Sequence, residues 1–266
     1  LNGTNQAATV ADNAAFVGFT SLTLEAWIKP MQAPTTEFMD IVMKGAAGYG
    51  LALDQNLCLR YLVDLSPSNA LKSTGQVKLG VWSHVAVVVD GVAHRTTFYI
   101  NGVAAGTVNS SVITNSAGAL VIGRHGGNAA TNFFKGNIDE VRIWGTARTQ
   151  AEISLLAFSE LPSGSTTGLV GHWSFTEGSG TSVADTVAGR NATLLNTTNT
   201  NWQTGPVFLQ APSLPAGLNL TANPKAAGLW IGQVTLNKVN EVQRAVNGAS
   251  PAVTETGSSA SIHILL

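Results

Sequence analysis

Apolar and polar residues alternate strictly through Ser21-Leu-Thr-Leu-Glu25-Ala-Trp27-Ile-Lys29. Leu22, Leu24, Ala26 and Ile28 fall on one face, and Thr23, Glu25, Trp27 and Lys29 on the other. That period of two belongs to a strand with its first set turned to a core. Trp82-Ser-His84-Val-Ala-Val-Val-Val-Asp90 is a β-branched run closed by Asp90-Gly91, and Leu120-Val-Ile-Gly123 is a shorter strand. Thr97-Phe-Tyr-Ile-Asn101-Gly102 carries the strongest hairpin signal, because Asn-Gly accepts the positive φ of a type I′ turn. One helix stands out. Thr149-Gln-Ala-Glu152 has capping-box spacing ahead of Ile153, Leu155 and Leu156. Further on, Gly228-Leu-Trp230-Ile-Gly-Gln-Val-Thr-Leu alternates again, whereas Asn247 to Ser261 is rich in Gly, Ser, Thr and Ala and reads as loop. The expected class is all-β: a two-sheet antiparallel sandwich with one short helix and a C-terminal β extension.

Composition narrows the partners. Charged residues make up 11% of the 266 and the net charge is −1, so nothing attracts nucleic acid or an anionic membrane surface. No run of 18 apolar residues occurs, which argues against membrane insertion. Cys58 is the single cysteine; between Leu57 and Leu59 it reads as a buried thiol, and it excludes an intrachain disulfide. The chain starts at Leu1 without methionine and stops in the apolar run Ile262-His-Ile264-Leu265-Leu266, so it is expected to be a piece of a longer or processed polypeptide.

Five separated stretches resemble laminin-G-like, concanavalin A-like jelly rolls. They are Leu1-Asn-Gly-Thr-Asn5, Leu24-Glu25-Ala26-Trp27-Ile28, Trp82-Ser-His84-Val85-Ala86, Tyr99-Ile-Asn101-Gly102 and Ile138-Asp139-Glu140-Val141-Arg142-Ile143-Trp144. The resemblance covers about the first 155 residues and implies a jelly roll over 1–160. Residues 168–205, with Trp173-Ser-Phe175, Glu177-Gly-Ser-Gly180 and Asp185, resemble what normally opens such a domain, yet here they follow the closing helix. Either a second jelly roll begins there, or 161–210 folds back and supplies missing edge strands. The expectation is fold-back, with Trp173 and Phe175 in the first domain's core. Residues 211–266 are left as a linker and an incomplete β segment.

Enzyme signatures are missing. No His-Glu-x-x-His, no Gly-x-Ser-x-Gly and no Glu-x-Asp occurs, the last being the pattern of glycanases that the family resemblance brings to mind. On neighbouring strand positions Asp139 and Glu140 point to opposite faces, so only one serves a given site. The resemblance implies a structural Ca2+ held by Asp139, with Asp185 and Asn191 as a second set once the segment folds back; the other reading makes Asp139 a turn-capping or salt-bridge residue beside Arg142 or Arg148. Arg124, His125, Asn128 and Asn132 lie in a Gly-rich loop before the closing strand, and such side chains suit sugar hydroxyls or carboxylates. The expected function is non-catalytic recognition or adhesion on an extracellular or bacterial surface protein, binding glycan or protein partners. A self-associating structural building block and a glycan-active enzyme are the alternatives.

Overall fold

A computed structural model of the protein describes residues 1–206 except 65–66, 128–130, 159–160, 162–166 and 199–200, and beyond them the strands 220–223, 229–234, 254–256 and 259–265. Asn128 therefore lies outside the described residues. By contacts the chain divides into two units, Leu1–Phe208 and Leu209–Leu266.

The first unit holds β1 (Ala7–Val10), β2 (Leu22–Pro30), β3 (Phe38–Lys44), β4 (Tyr49–Asp54), β5 (Cys58–Val63), β6 (Leu71–Gln76) and β7 (Ser83–Asp90). It continues with β8 (Arg95–Ile100), β9 (Val103–Val108), β10 (Leu120–Ile122), β11 (Gly136–Trp144), the helix α1 (Gln150–Leu156), β12 (Leu169–Trp173), β13 (Ser182–Val183) and β14 (Ala192–Leu195). Two antiparallel sheets result. One has eight strands in the order β13-β14-β1-β10-β3-β4-β5-β6, and the other has six in the order β12-β11-β2-β7-β8-β9. This is the two-sheet jelly-roll sandwich.

The inner faces close on one core. Leu22, Leu24, Ala26 and Ile28 of β2 meet Val85, Val87 and Val89 of β7, and across the gap Leu51, Leu53, Leu59 and Tyr61 of the other sheet. Each turn sits where its residue permits. Asn101 and Gly102 take φ of 51° and 74°, the left-handed pair that a two-residue hairpin needs.

Residues 169–195 belong to both sheets. β12 pairs with β11, Val141 opposite Trp173, while β14 pairs with β1, Ala8 opposite Leu194. Trp173 is fully buried in the common core beside Phe16, ring centroids 6.1 Å apart, and its indole N–H donates to the Arg190 carbonyl. Phe175 packs against the same core, partly buried.

The second face of β2 is not solvated. α1 starts at a complete capping box, the Thr149 hydroxyl accepting from Glu152 N–H and the Glu152 carboxylate accepting from Thr149 N–H. The helix lies on the outer side of the six-stranded sheet, Ile153 against Ala86, Val88 and Tyr99, and Leu156 against Trp144 and Leu169. Thr23, Glu25 and Trp27 are consequently buried as well.

The second unit holds a four-stranded antiparallel sheet in the order β15 (Leu220–Asn223), β16 (Leu229–Val234), β18 (Ser259–Leu265), β17 (Thr254–Thr256). The stretch read as loop thus includes strands at 254–256 and 259–261. Pairing of β18 with β16, Gln233 opposite Ser261, and of β17 with β18, Glu255 opposite Ala260, gives these residues the ladder that their own propensity does not specify.

Candidate functional site

Two concavities and one buried polar network carry the chemistry of the first unit. The network lies under α1. The Glu25 carboxylate accepts from His84 Nε2 at 3.1 Å, and Arg142, opposite Glu25 in the β2–β11 register, donates to the Glu140 carboxylate at 2.6 Å. His172 Nε2 meets the same Glu140 oxygen at 3.0 Å and its other ring nitrogen meets Thr186 Oγ1. Burial pushes both glutamates up; for Glu25 the His84 hydrogen bond with the His84, Arg142 and Arg148 charges outweighs it, and for Glu140 His172 and Arg142 do. Both end below the ordinary carboxylate range and stay ionised. They are paired structural charges, and neither lines either concavity.

Asp139 and Glu140 do diverge. A β-bulge sits between Asp139 and Arg142, with Glu140 at φ 49°. Glu140 and Arg142 therefore share the face under α1, while Asp139 lines a cavity of about 80 Å³ with Gln6, Trp82, Asn137, Phe175, Asn201 and Trp202. Asp139 Oδ1 accepts from the Glu140 N–H at 2.8 Å. Burial first, then the Glu140 and Glu177 charges, push this carboxyl up to about 7.

Asp185 and Asn191 do not line that cavity. The Asp185 carboxylate accepts from five donors: the backbone N–H groups of His172, Val187, Ala188 and Arg190, and Arg190 Nε. Five donors take all the lone-pair positions that a cation would need. Asn191 Oδ1 accepts from the Asp185 N–H. The pair pins a turn against β12. Among the described residues, the donor set expected for Ca2+ does not fit as one site, since Asp139 alone of the three faces the cavity.

The second concavity is an open cleft of about 370 Å³ lined by Thr36, Glu37, Phe38, Asp54, Gln55, Asn56 and Arg60. It lies at the Phe38 end of β3, where Phe38 pairs with Asp54 of β4. The Arg60 guanidinium stands 5.7 Å from the Phe38 ring centroid and 3.7 Å from Asp54 Oδ2, which Lys72 approaches at 2.9 Å. Arg60 Nε is buried without a hydrogen-bond partner.

The loop chosen from sequence borders this cleft at one residue. Asn132, at φ 55°, accepts from Thr36 Oγ1 through Oδ1, and its carbonyl accepts from the Asp40 N–H. Arg124 and His125 turn inward. Arg124 Nη1 donates to the carbonyls of His125 and Gly127, and His125 Nδ1 accepts from Gly127 N–H. Burial and then the Arg124 charge push His125 below the usual imidazole range. These two hold the loop's shape. Sequence reasoning missed Arg60, Asp54 and Gln55; Arg60, on the face opposite Leu59 and Tyr61, was the one available signal.

The sequence profile of the concanavalin A-like lectin/glucanase superfamily matches residues 2–154. No curated protein sequence matches the chain. Among solved structures, a Bacteroides ovatus protein provisionally described as carbohydrate-binding aligns with TM-score 0.58 and 20% identity, over 73% of this chain and 58% of that one. This likeness speaks to the fold, and the chain spans 58% of that protein's length. Domain 4 of a GH43 extracellular arabinanase from Geobacillus stearothermophilus, in complex with arabinotriose, aligns at 25% identity and TM-score 0.47, over 59% of this chain and 74% of that one. A heptameric pentraxin from Limulus polyphemus aligns at 22% identity and TM-score 0.44, over 58% of this chain and 76% of that one.

Proposed function

Because the chain belongs to the concanavalin A-like lectin/glucanase superfamily, we propose that it is a non-catalytic glycan-binding module of an extracellular protein. The observation that carries the reading is the cleft between Thr36 and Arg60. Its walls offer amides at Gln55 and Asn56, a carboxylate at Asp54 and the Arg60 guanidinium. Paired donors and acceptors of this kind grip adjacent sugar hydroxyls, and the Phe38 edge supplies an apolar floor. Glu25 and Glu140 give glycosidase chemistry no support. Glu25 and Glu140 are buried and spent on His84, Arg142 and His172, away from either concavity.

Glycan-array screening followed by calorimetry on the best ligand tests this reading. Binding at about micromolar to millimolar strength, weakened at least tenfold by Arg60→Ala and by Gln55→Ala without change in melting temperature, is the expected result. Absence of binding across neutral and acidic glycans, or binding indifferent to both substitutions, sinks it.

A further inference from the structure

Arg60 and Lys72 stand directly opposite each other in the β5–β6 register, and like charges so placed repel. One carboxylate mediates between them. Lys72 Nζ is 2.9 Å from Asp54 Oδ2, while Arg60 Nη1 is 3.7 Å from it, too far for a hydrogen bond. Asp54 Oδ1 is spent elsewhere, accepting from the Asn56 and Cys58 N–H groups that shape the β4–β5 turn. Two cations thus share one anion, and Lys72 holds the closer part of it. Asp40, two strands from Arg60 on the same face, adds no charge, because burial pushes its carboxyl well above the ordinary range.

The Arg60 fork is held in place without being used. Its side chain is 18% exposed, its guanidinium stands over the Phe38 ring, and no hydrogen bond engages it among the described residues. Elsewhere the chain consumes such groups. Arg142 donates to Glu140 and the Leu156 carbonyl, Arg190 to Asp185 and the Val170 carbonyl, and Arg124 to the carbonyls of His125 and Gly127.

A guanidinium fixed against an aromatic ring has already lost much of its rotamer freedom, so it takes a planar two-oxygen anion at small entropic cost. The neighbouring walls suit the rest of a sugar. Gln55 Nε2 donates to the Thr36 carbonyl, which leaves its amide oxygen to accept from a hydroxyl, and the Asn56 side chain lines the same cleft.

The geometry points to an acidic glycan as the ligand: Arg60 takes the carboxylate of a uronic or nonulosonic acid sugar, and Gln55 and Asn56 reach its adjacent hydroxyls. This rests on the cleft being the glycan site and names the class of sugar that it selects. Lys72 keeps Asp54 neutralised, so that Arg60 contributes its whole charge to the ligand. Glu37, exposed on the cleft wall, opposes the ligand's charge and limits the affinity.

The test is calorimetry on the whole chain at about 50 mM salt, where surface charge is little screened. Trigalacturonate and sialyllactose are each titrated against the methyl ester of the same sugar. In at least one pair the acid should bind about tenfold or more tighter than the ester, and the pair that shows it tells a uronic from a nonulosonic ligand. Arg60→Lys keeps the charge but removes the fork, and should shrink that ratio to about threefold or less. Glu37→Gln, an exposed change, should tighten binding of the acid about two- to threefold and leave the ester unchanged. It decides the matter should Arg60→Lys fail to fold. Equal binding of acid and ester in both pairs, a ratio that survives Arg60→Lys, or an acid affinity indifferent to Glu37→Gln overturns the proposal. If neutral glycans then still bind and still need Gln55, the cleft remains the glycan site and only the acidic ligand falls; if nothing binds, both readings fall.

Discussion

Replacing Asp139 with asparagine should make the protein more stable at pH 8 and leave it nearly unchanged at pH 4. The carboxyl is pushed up to about 7 by burial and then by Glu140 and Glu177, against the Glu140 N–H and Arg142. In the unfolded chain it titrates near its ordinary 3.8. Below that value both states hold the proton, and the group is neutral to stability. Between there and about 7 the unfolded chain has released its proton while the folded chain keeps it, so stability falls as pH rises. Above 7 both are ionised and the loss is complete.

A tenfold change in proton affinity is worth about 1.4 kcal/mol, so the full loss is about 4 kcal/mol, and relaxation around the partly exposed cavity should reduce it toward 2. Asparagine keeps an oxygen for the Glu140 N–H and removes the charge. Urea unfolding of wild type and Asp139→Asn at pH 4, 5.5, 7 and 8.5, with the m-value required to stay constant, reads the difference directly. The gap should open from near zero at pH 4 to about 2–4 kcal/mol at pH 8.5. A gap that stays within about 0.5 kcal/mol across that range refutes the burial argument.

Three further outcomes follow from the packing. Trp173→Ala should cost about 3–5 kcal/mol, because a fully buried indole leaves a cavity where both sheets meet, and a loss under 1 kcal/mol in chemical unfolding would contradict that placement. Arg142→Met should cost about 3 kcal/mol or more by leaving Glu140 and Glu25 short of their shared cation; stability unchanged in urea would show the network to be relaxed. Thr149→Ala should cost about 1 kcal/mol by removing half of the capping box, measured as a lower melting temperature with unchanged circular dichroism at the strand wavelengths.

The elements that local chemistry specifies were legible. The alternation at Leu22–Ile28, the Asn101-Gly102 turn and the Thr149/Glu152 box each state their conformation within a few residues. Long-range pairing was not. Gln6 hydrogen-bonds to the carbonyl of Asn196, 190 residues away, and no periodicity encodes that choice of neighbour. The alternation in β2 likewise says nothing of its second face, where Thr23 and Glu25 are fully buried. At the candidate site, residue type pointed to Arg124 and His125, whose donors and acceptors are used inside their own loop. Asp40 carried a signal that was overlooked: one acid inside Phe-Met-Asp-Ile-Val-Met, an otherwise apolar run.

The strand order bears on how the protein is made. β1 forms near the start of the chain, but one of its two neighbours, β14, is synthesised last in the sandwich, and β11 likewise waits for β12. A nascent chain that has just left the ribosome through α1 therefore presents an unpaired border on each sheet, with a vacancy in the core where Trp173 belongs. Until residue 195 emerges, every polysome carries copies whose open borders match one another. A pause in translation before that point exposes the protein to strand exchange, and holdase chaperones should be recruited there.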